Sequence, residues 1–253
     1  MTHRLNILAS AASIILVWIF LRDTVFFIPL IVFFVITFYI LMNVGVMVMR
    51  INYFLKTTTS IEGEYTILTF DDGPDPVNTP KILDILAKYK VKSIFFLIGH
   101  KAEEHPDIVR RIVSEGHLIG NHTNAHNPIT ALFSRSRLHT EITTAQEIFE
   151  RITGDRVTLF RPPIGYTNPK FATVLKELNL QCVGWTLRSY DSVYKDPEKL
   201  KNRLLSKVRH RHIVLLHDNV DITATILDDF ISKANANGIV FASTENIKSI
   251  LHA

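Results

Sequence analysis

The sequence predicts an α/β domain built on a mostly parallel sheet and preceded by apolar helices of transmembrane type. Three observations predict it. Short, near-continuous apolar runs alternate with longer stretches of helical period, the pattern of strands buried on both faces with helices between them. Charged and polar residues stand at or just after those runs, at Asp71, His122, Arg161, Asp191 and His217, as they do where chemistry gathers at the carboxyl ends of parallel strands. The 47% hydrophobic content of the 253 residues is weighted to the first fifty, which leaves a remainder long enough for one full core.

The chain opens with two uncharged apolar runs, Leu5 to Leu21 and Val25 to Met49, separated by Arg22-Asp23-Thr24. At 1.5 Å per residue the first covers about 26 Å, marginal for a hydrocarbon core of ~30 Å, whereas the second is ample. Residues 1–50 therefore read as a two-helix hairpin in the lipid bilayer of a bacterial inner or cell membrane. A single span with the first run lying in the interface is the alternative. A cleaved signal peptide fits poorly, because a second long apolar segment follows at once. Arg4, Arg50 and Lys56 flank the outer ends while Arg22 and Asp23 cancel in the turn, a bias that favours both termini, and the domain behind them, in the cytoplasm. If the first run does not span, the domain lies outside.

Residues 51–63, with Thr57-Thr58-Thr59-Ser60 among them, read as a polar tether. Residues 64–253 then hold the alternating elements. Strands are expected at Tyr65 to Phe70, Lys92 to Ile98, His117 to Asn121, Leu159 to Arg161, Leu180 to Trp185, His212 to His217 and Ile239 to Phe241. Helices are expected at Pro80 to Tyr89, Glu103 to Ser114, Arg135 to Ile152 with Gly154 as its stop, Asn168 to Glu177, Pro197 to Val208 and Ile222 to Ala236. This alternation suits a doubly wound sheet and a barrel equally.

Composition narrows the partners. A formal net charge of +4 is spread among dispersed charges of both signs, and without an aromatic-basic array nucleic acid is a poor partner. No feature calls for a protein partner. The single cysteine, Cys182 in LQCVGW, excludes an internal disulfide and reads as a buried strand residue.

The chemistry is carried by Asp71-Asp72 in TFDDGP and by His122 and His126 in NHTNAH. A divalent ion accepts two imidazoles and one carboxylate and keeps a position open for reaction. Asp72 is then the natural ligand and Asp71 the natural base, provided that the two side chains diverge at the strand end. Histidines four apart share one face of a helical turn. Zinc suits such a set, and cobalt, nickel or iron could occupy the same ligands.

With RPPIG at Arg161 to Gly165 and IVLLHD at Ile213 to Asp218, the chain resembles the polysaccharide deacetylases of carbohydrate esterase family four, the nodulation-factor deacetylase (NodB) homology domain. The resemblance covers roughly Glu64 to Ala253 and implies a distorted barrel of seven or eight strands. It implies Asp71 as base, Asp72, His122 and His126 as metal ligands, Arg161 as the cation that orients Asp71, and His217 as catalytic acid with Asp191 as its partner. Pro162, Ile164, Trp185, Arg188 and Leu215 are the candidates for substrate or oxyanion contact, Ile164 through its backbone N–H and Leu215 through a pocket for the acetyl methyl. Arg188 stands where the family usually carries an aspartate, Ser192 where it carries a closing tryptophan, and Ile164 where tyrosine is common. The implied reaction is hydrolysis of an N-acetyl group on an amino sugar of peptidoglycan, a chitin-like glycan or an exopolysaccharide. A polyprenyl-phosphate-linked amino sugar, losing an acetyl or formyl group, is the competing substrate, favoured by the hairpin and by Arg188. A catalytically silent carbohydrate-binding scaffold is the remaining alternative, and it leaves an open metal position without a purpose.

Overall fold

The computed structural model describes residues 2–252; Met1 and Ala253, the outer bounds of the expected anchor and catalytic segments, lie outside the described residues. Two helices, α1 (Thr2–Leu21) and α2 (Phe27–Met47), run antiparallel across a short turn. Both are long and apolar enough to cross a bilayer, and among the described residues Val17 and Gly45 alone are buried in them. Where they return, they dock on the domain. The His3 amide donates to the Tyr53 carbonyl at 3.1 Å, and the Asn6 side-chain amide meets the Tyr53 hydroxyl. Thr167 donates from its amide to the Val46 carbonyl at 3.0 Å and from its hydroxyl to the Gly45 carbonyl at 3.2 Å. Gly45 is required there, since a Cβ would lie 2.2 Å from the Tyr53 ring.

The domain is a sheet of eight strands, all pairings parallel, with helices between them. The strands are β1 (Thr57–Thr58), β2 (Ile67–Gly73), β3 (Ser93–Leu97), β4 (Leu118–Asn121), β5 (Leu159–Phe160), β6 (Gln181–Val183), β7 (Leu187–Arg188) and β8 (Ile213–His217). Their order is β1-β6-β5-β4-β3-β2-β8-β7. No ladder joins β1 to β7 among the described residues, so the expected barrel is an open half-barrel with a seam between its edge strands. Strand period explains how both faces become buried. Leu68, Phe70, Phe95, Leu97, Val214 and Leu216 share a cluster with apolar residues of the outer helices, namely α3 (Asn78–Lys88), α5 (Pro106–Ser114), α6 (Arg135–Thr153), α8 (Pro197–Lys207) and α9 (Asp221–Ala236). Their alternates Ile67, Ile94, Phe96 and Ile213 form a second cluster, closed by Ile61, Tyr65, Ile247 and Ile250.

The structure departs from the sequence expectations in five local ways. Part of the expected tether is an edge strand, since Thr57 and Thr58 pair with Cys182 and Val183. The expected strand at 180–185 shortens to β6, and a further two-residue strand, β7, follows it. At 239–241 only a single parallel bridge forms, between Thr66 and Phe241. The helix expected at 103–114 is two helices, α4 (Gly99–Glu104) and α5, because Pro106 excludes helical backbone at the residue before it; His105 adopts φ −129°, ψ 56°. Finally, β2 runs beyond Phe70 through both acids.

Register does the positioning. Asp71 stands opposite His217 of β8 and Phe96 of β3, Leu97 opposite Asn121 of β4, and Asn121 opposite Phe160 of β5. Two successive rows at the strand carboxyl ends thus carry the site, Asp71 with His217 in one, and in the next Asn121 and Phe160, the residues immediately before His122 and Arg161.

Candidate active site

The divergence of the two acids has a backbone cause. Asp71 lies in the regular ladder, whereas Asp72 adopts φ 73°, and the β2–β3 register shifts between Asp71 and Gly73. This bulge lets neighbouring side chains, which would otherwise point to opposite faces, both reach the same cavity. The histidines also depart from expectation. They lie in the loop after β4 rather than on a helix, and left-handed backbone at Thr123 (φ 68°) and His126 (φ 46°) folds that loop back. Asn121 Oδ1 accepts from the Thr123 amide at 2.8 Å and Thr123 Oγ1 from the His126 amide at 3.1 Å, so both polar neighbours of His122 hold the loop's shape. The two imidazole rings end 4.8 Å apart.

His122 Nε2 lies 3.5 Å, and His126 Nε2 3.2 Å, from Asp72 Oδ1. The three ligand atoms fall within 4.8 Å of one another, a spacing one ion can bridge. His122 Nδ1 is 2.7 Å from the Arg161 carbonyl; a carbonyl only accepts, so the proton sits on Nδ1 and leaves the Nε2 lone pair facing Asp72. Burial, aided by the neighbouring His122, lowers the pKa of His126. Burial alone would raise the Asp72 carboxyl, but the facing His122 and the other nearby histidines hold it well below the usual carboxylate range. One carboxylate and two imidazoles with free lone pairs form a donor set suited to a divalent metal such as zinc.

Arg161 is completely buried and every nitrogen has a partner. Nη1 donates to Asp71 Oδ1 at 2.6 Å and to Thr69 Oγ1 at 2.8 Å, Nε to the Val183 carbonyl at 3.0 Å, and Nη2 to the Gly184 carbonyl at 2.8 Å. Its guanidinium also lies 4.0 Å from the centre of the Phe96 ring. Asp71 is therefore fixed by a cation that is itself held from three strands and the turn after β6.

Across the cavity, Asp191 accepts four hydrogen bonds. His217 donates from its amide to Oδ2 and pairs Nδ1 with Oδ1, both at 2.7 Å. The Thr223 hydroxyl meets Oδ2 at 2.7 Å, and the Ser192 amide meets Oδ1 at 2.9 Å. Burial disfavours a charged His217 ring, yet the hydrogen bond and charge of Asp191, with the charges of Asp71 and Asp72, outweigh it and push His217 up to about 9. Burial would likewise raise Asp191, but its bonds to His217 and Thr223 bring it below its ordinary value.

Asp71, Asp72, His122, His126 and His217 line a cavity of about 200 Å³ together with Ile164, Trp185, Arg188 and Leu215, while Arg161 and Asp191 are buried behind them. Ile164 sits at φ 62° with its side chain exposed, and the Trp185 ring packs against Gly165, where a Cβ would come within 2.3 Å. Pro162 is buried and does not line the cavity; its carbonyl accepts from the Gly165 amide at 3.0 Å and shapes the turn. Sequence reasoning missed Thr69 and Thr223. Thr69 had a signal, being the one polar residue two positions before Asp71 in a buried strand, hence on the same face. Thr223 had none beyond its place in the first turn of α9. A third omission is Asp218, buried under Gly73 with Thr79 Oγ1 donating to it at 2.6 Å; burial pushes its carboxyl up to about 7. His117 needs no ligand role: its Nδ1 accepts from the Ser93 amide at 3.1 Å, and burial brings it down to about 3. A larger cavity at the opposite end of the sheet, around Lys92 and Glu115, contains none of this chemistry.

A parallel half-barrel with an Asp-His-His cluster, a clamped carboxylate and a carboxylate-bound histidine defines the class of metal-dependent hydrolases that act at strand carboxyl ends. Comparison with known proteins agrees. Residues 60–183 match the family described as polysaccharide deacetylase. Over 153 residues the chain is 37% identical to a peptidoglycan-N-acetylglucosamine deacetylase of Bacillus cereus, covering 60% of this chain and 71% of that protein. The structure of the Bc1960 peptidoglycan N-acetylglucosamine deacetylase superposes with a TM-score of 0.70 at 32% identity, over 76% of this chain and 91% of that one. The chain belongs to the polysaccharide deacetylase family. The family fold also serves proteins without activity: BA3943 of Bacillus anthracis, described as a pseudoenzyme, superposes at TM-score 0.67 and 25% identity, over 72% of this chain and 64% of that one.

Proposed function

We propose that this protein hydrolyses the N-acetyl group of an acetylated amino sugar in a glycan of the peptidoglycan or chitin-like type. The observation that carries the reading is the meeting of three units at one strand end: the Asp72, His122 and His126 donors, Asp71 on Arg161, and His217 on Asp191. A divalent ion on those donors supplies Lewis acidity toward the acetyl oxygen and the attacking water. Asp71 Oδ2, the oxygen left free by Arg161, takes the proton of that water. Arg161 keeps the carboxylate aimed. His217, protonated and held through Nδ1, gives the Nε2 proton to the departing amine nitrogen as the carbon–nitrogen bond breaks, and Asp191 stabilises the cationic ring. The Ile164 N–H is the candidate donor to the oxyanion, and Leu215 the wall against the acetyl methyl.

Helices α1 and α2 are read as a membrane hairpin, supported by their length, their uncovered apolar surface and the antiparallel return that brings residues 3 and 53 together. With Arg4, Arg50 and Lys56 at the returning ends, the cytoplasmic side is favoured for the domain. Acetate release from N-acetylated chito-oligosaccharides and peptidoglycan fragments by the metal-loaded protein tests the reaction. No release from any of them, with metal bound, sinks the free glycan as substrate, and Asp72→Ala is the control that should abolish both metal and turnover.

A further inference from the structure

Beside the catalytic cavity lies a second one of about 360 Å³, where β7 ends the sheet and the base of α2 returns to the domain. Four cations line it, Arg50, Arg188, Arg203 and Lys207, and no carboxylate does. Among the described residues none of the four enters an ion pair, although Arg and Lys side chains elsewhere in the chain find acids readily. Two of the guanidinium groups are drawn together. Arg188 and Arg203 lie 5.2 Å and 4.8 Å from the centre of the same Tyr190 ring, and Arg203 Nη1 donates to the Arg188 carbonyl at 2.9 Å. Arg188 Nε is buried without a hydrogen-bond partner. Like charges gathered around an unpaired buried donor repel one another until an anion neutralises them.

We infer that this cavity binds the phosphate or pyrophosphate of a lipid-linked form of the acetylated amino sugar, an inference that rests on the deacetylase reading above. Paired guanidinium groups suit the planar, bidentate recognition of phosphoryl oxygens. Four cations also call for more than the single charge of a sugar carboxylate. The location selects a lipid carrier over a free nucleotide or polymer. Residues 47–50, at the end of the apolar α2, form one wall of the cavity, so a bound phosphoryl group lies at headgroup level, with exposed Met47 and Ile51 beside it for the first carbons of a chain. Trp185 and Arg188 line both cavities. A sugar in the catalytic cavity and a phosphoryl group in its neighbour are therefore one ligand's span apart. This substrate also fits a domain on the cytoplasmic side, where finished wall polymer is out of reach.

The test uses the full chain in phosphatidylcholine nanodiscs and two substrates: a neutral N-acetylated chito-oligosaccharide, and N-acetylglucosamine joined through pyrophosphate to a short polyprenyl chain. The lipid-linked substrate is expected to have at least a tenfold lower KM, and inorganic pyrophosphate to compete against it. Arg203→Gln with Lys207→Gln is expected to cut kcat/KM for the lipid-linked substrate at least tenfold relative to the neutral one, through KM. Equal KM values for both substrates, with no competition by pyrophosphate, overturn the inference while leaving deacetylation intact. Hydrolysis of neither substrate instead removes the deacetylase reading. Calorimetric pyrophosphate binding that vanishes in the double variant then still supports an anion site, and its absence ends that too. If the double variant loses only binding to nanodiscs containing phosphatidylglycerol, with the KM for the lipid-linked substrate unchanged, the cavity serves a phospholipid headgroup and the substrate inference is overturned.

Discussion

Replacing Asp191 with Asn keeps the shape of the residue under His217 but removes its charge. In the native protein the ring is pushed from 6.5 up to about 9 by that carboxylate acting with Asp71 and Asp72 against burial. This corresponds to roughly 3 kcal/mol of preference for the charged ring. With Asn at 191 the largest favourable contributor is gone, and with burial opposed only by Asp71 and Asp72 the ring returns toward its ordinary value. At pH 8 a group titrating at 9 is about nine-tenths protonated and one titrating at 6.5 about 3%, so loss of the acid alone predicts a roughly 30-fold fall in kcat/KM. The fall should shrink toward pH 6. The same shift governs stability. Because the folded value lies above the unfolded one, the contribution is fully present below about pH 6.5 and is lost as pH rises through about 9. The variant should therefore lose most stability at acid and neutral pH and converge on the parent above pH 9. A pH–rate profile with a fixed N-acetylated substrate, paired with urea unfolding at pH 6 and pH 9.5, measures both. An alkaline limb that stays near 9 in the variant refutes the assignment of Asp191 as the group that charges His217.

Four further outcomes are expected. Asp71→Asn should keep bound metal, read by elemental analysis, while turnover falls by about 10²–10⁴; His126→Ala should instead lose the metal. Arg161→Met, which strands the buried Asp71 carboxylate, should cost about 3–5 kcal/mol in urea unfolding, and a loss below 1 kcal/mol contradicts the clamp. Cys182, pushed up to about 12 chiefly by burial, should resist alkylation in the folded protein at pH 8 and react once unfolded. In intact cells and a Cys182→Ser background, a cysteine at Thr24 should label from outside and one at Glu62 should not; the reverse pattern dismantles the hairpin.

Much of the site was legible because its residues are chemically unusual where they stand. A charged pair ending an apolar strand, or an arginine before two prolines, has few other uses, and parallel strands deliver their ends to one rim. The backbone devices were not legible. Nothing in HTNAH announces left-handed conformations at Thr123 and His126, and the helical spacing of the two histidines pointed to the wrong local structure for the right contact. Edge strands of two residues, Thr57–Thr58 and Leu187–Arg188, carry too little pattern to be read. The seam between them is decided by tertiary closure rather than by local sequence. Arg188 was visible only as a departure from the family pattern, and nothing in the sequence of α8 sets Arg203 and Lys207 apart from its other charged residues.

The left-handed residues Asp72, His126 and Ile164 line the catalytic cavity and Thr123 shapes the loop that carries the two histidines, and each bears a conformation that glycine would adopt more cheaply. At two of the four, glycine is forbidden because the side chain is a ligand. Selection for thermal robustness thus has an easy route only at Thr123 and Ile164, and each such step would loosen a loop that carries a ligand or the proposed oxyanion donor. The rim is a place where a more durable protein and a faster one are different proteins.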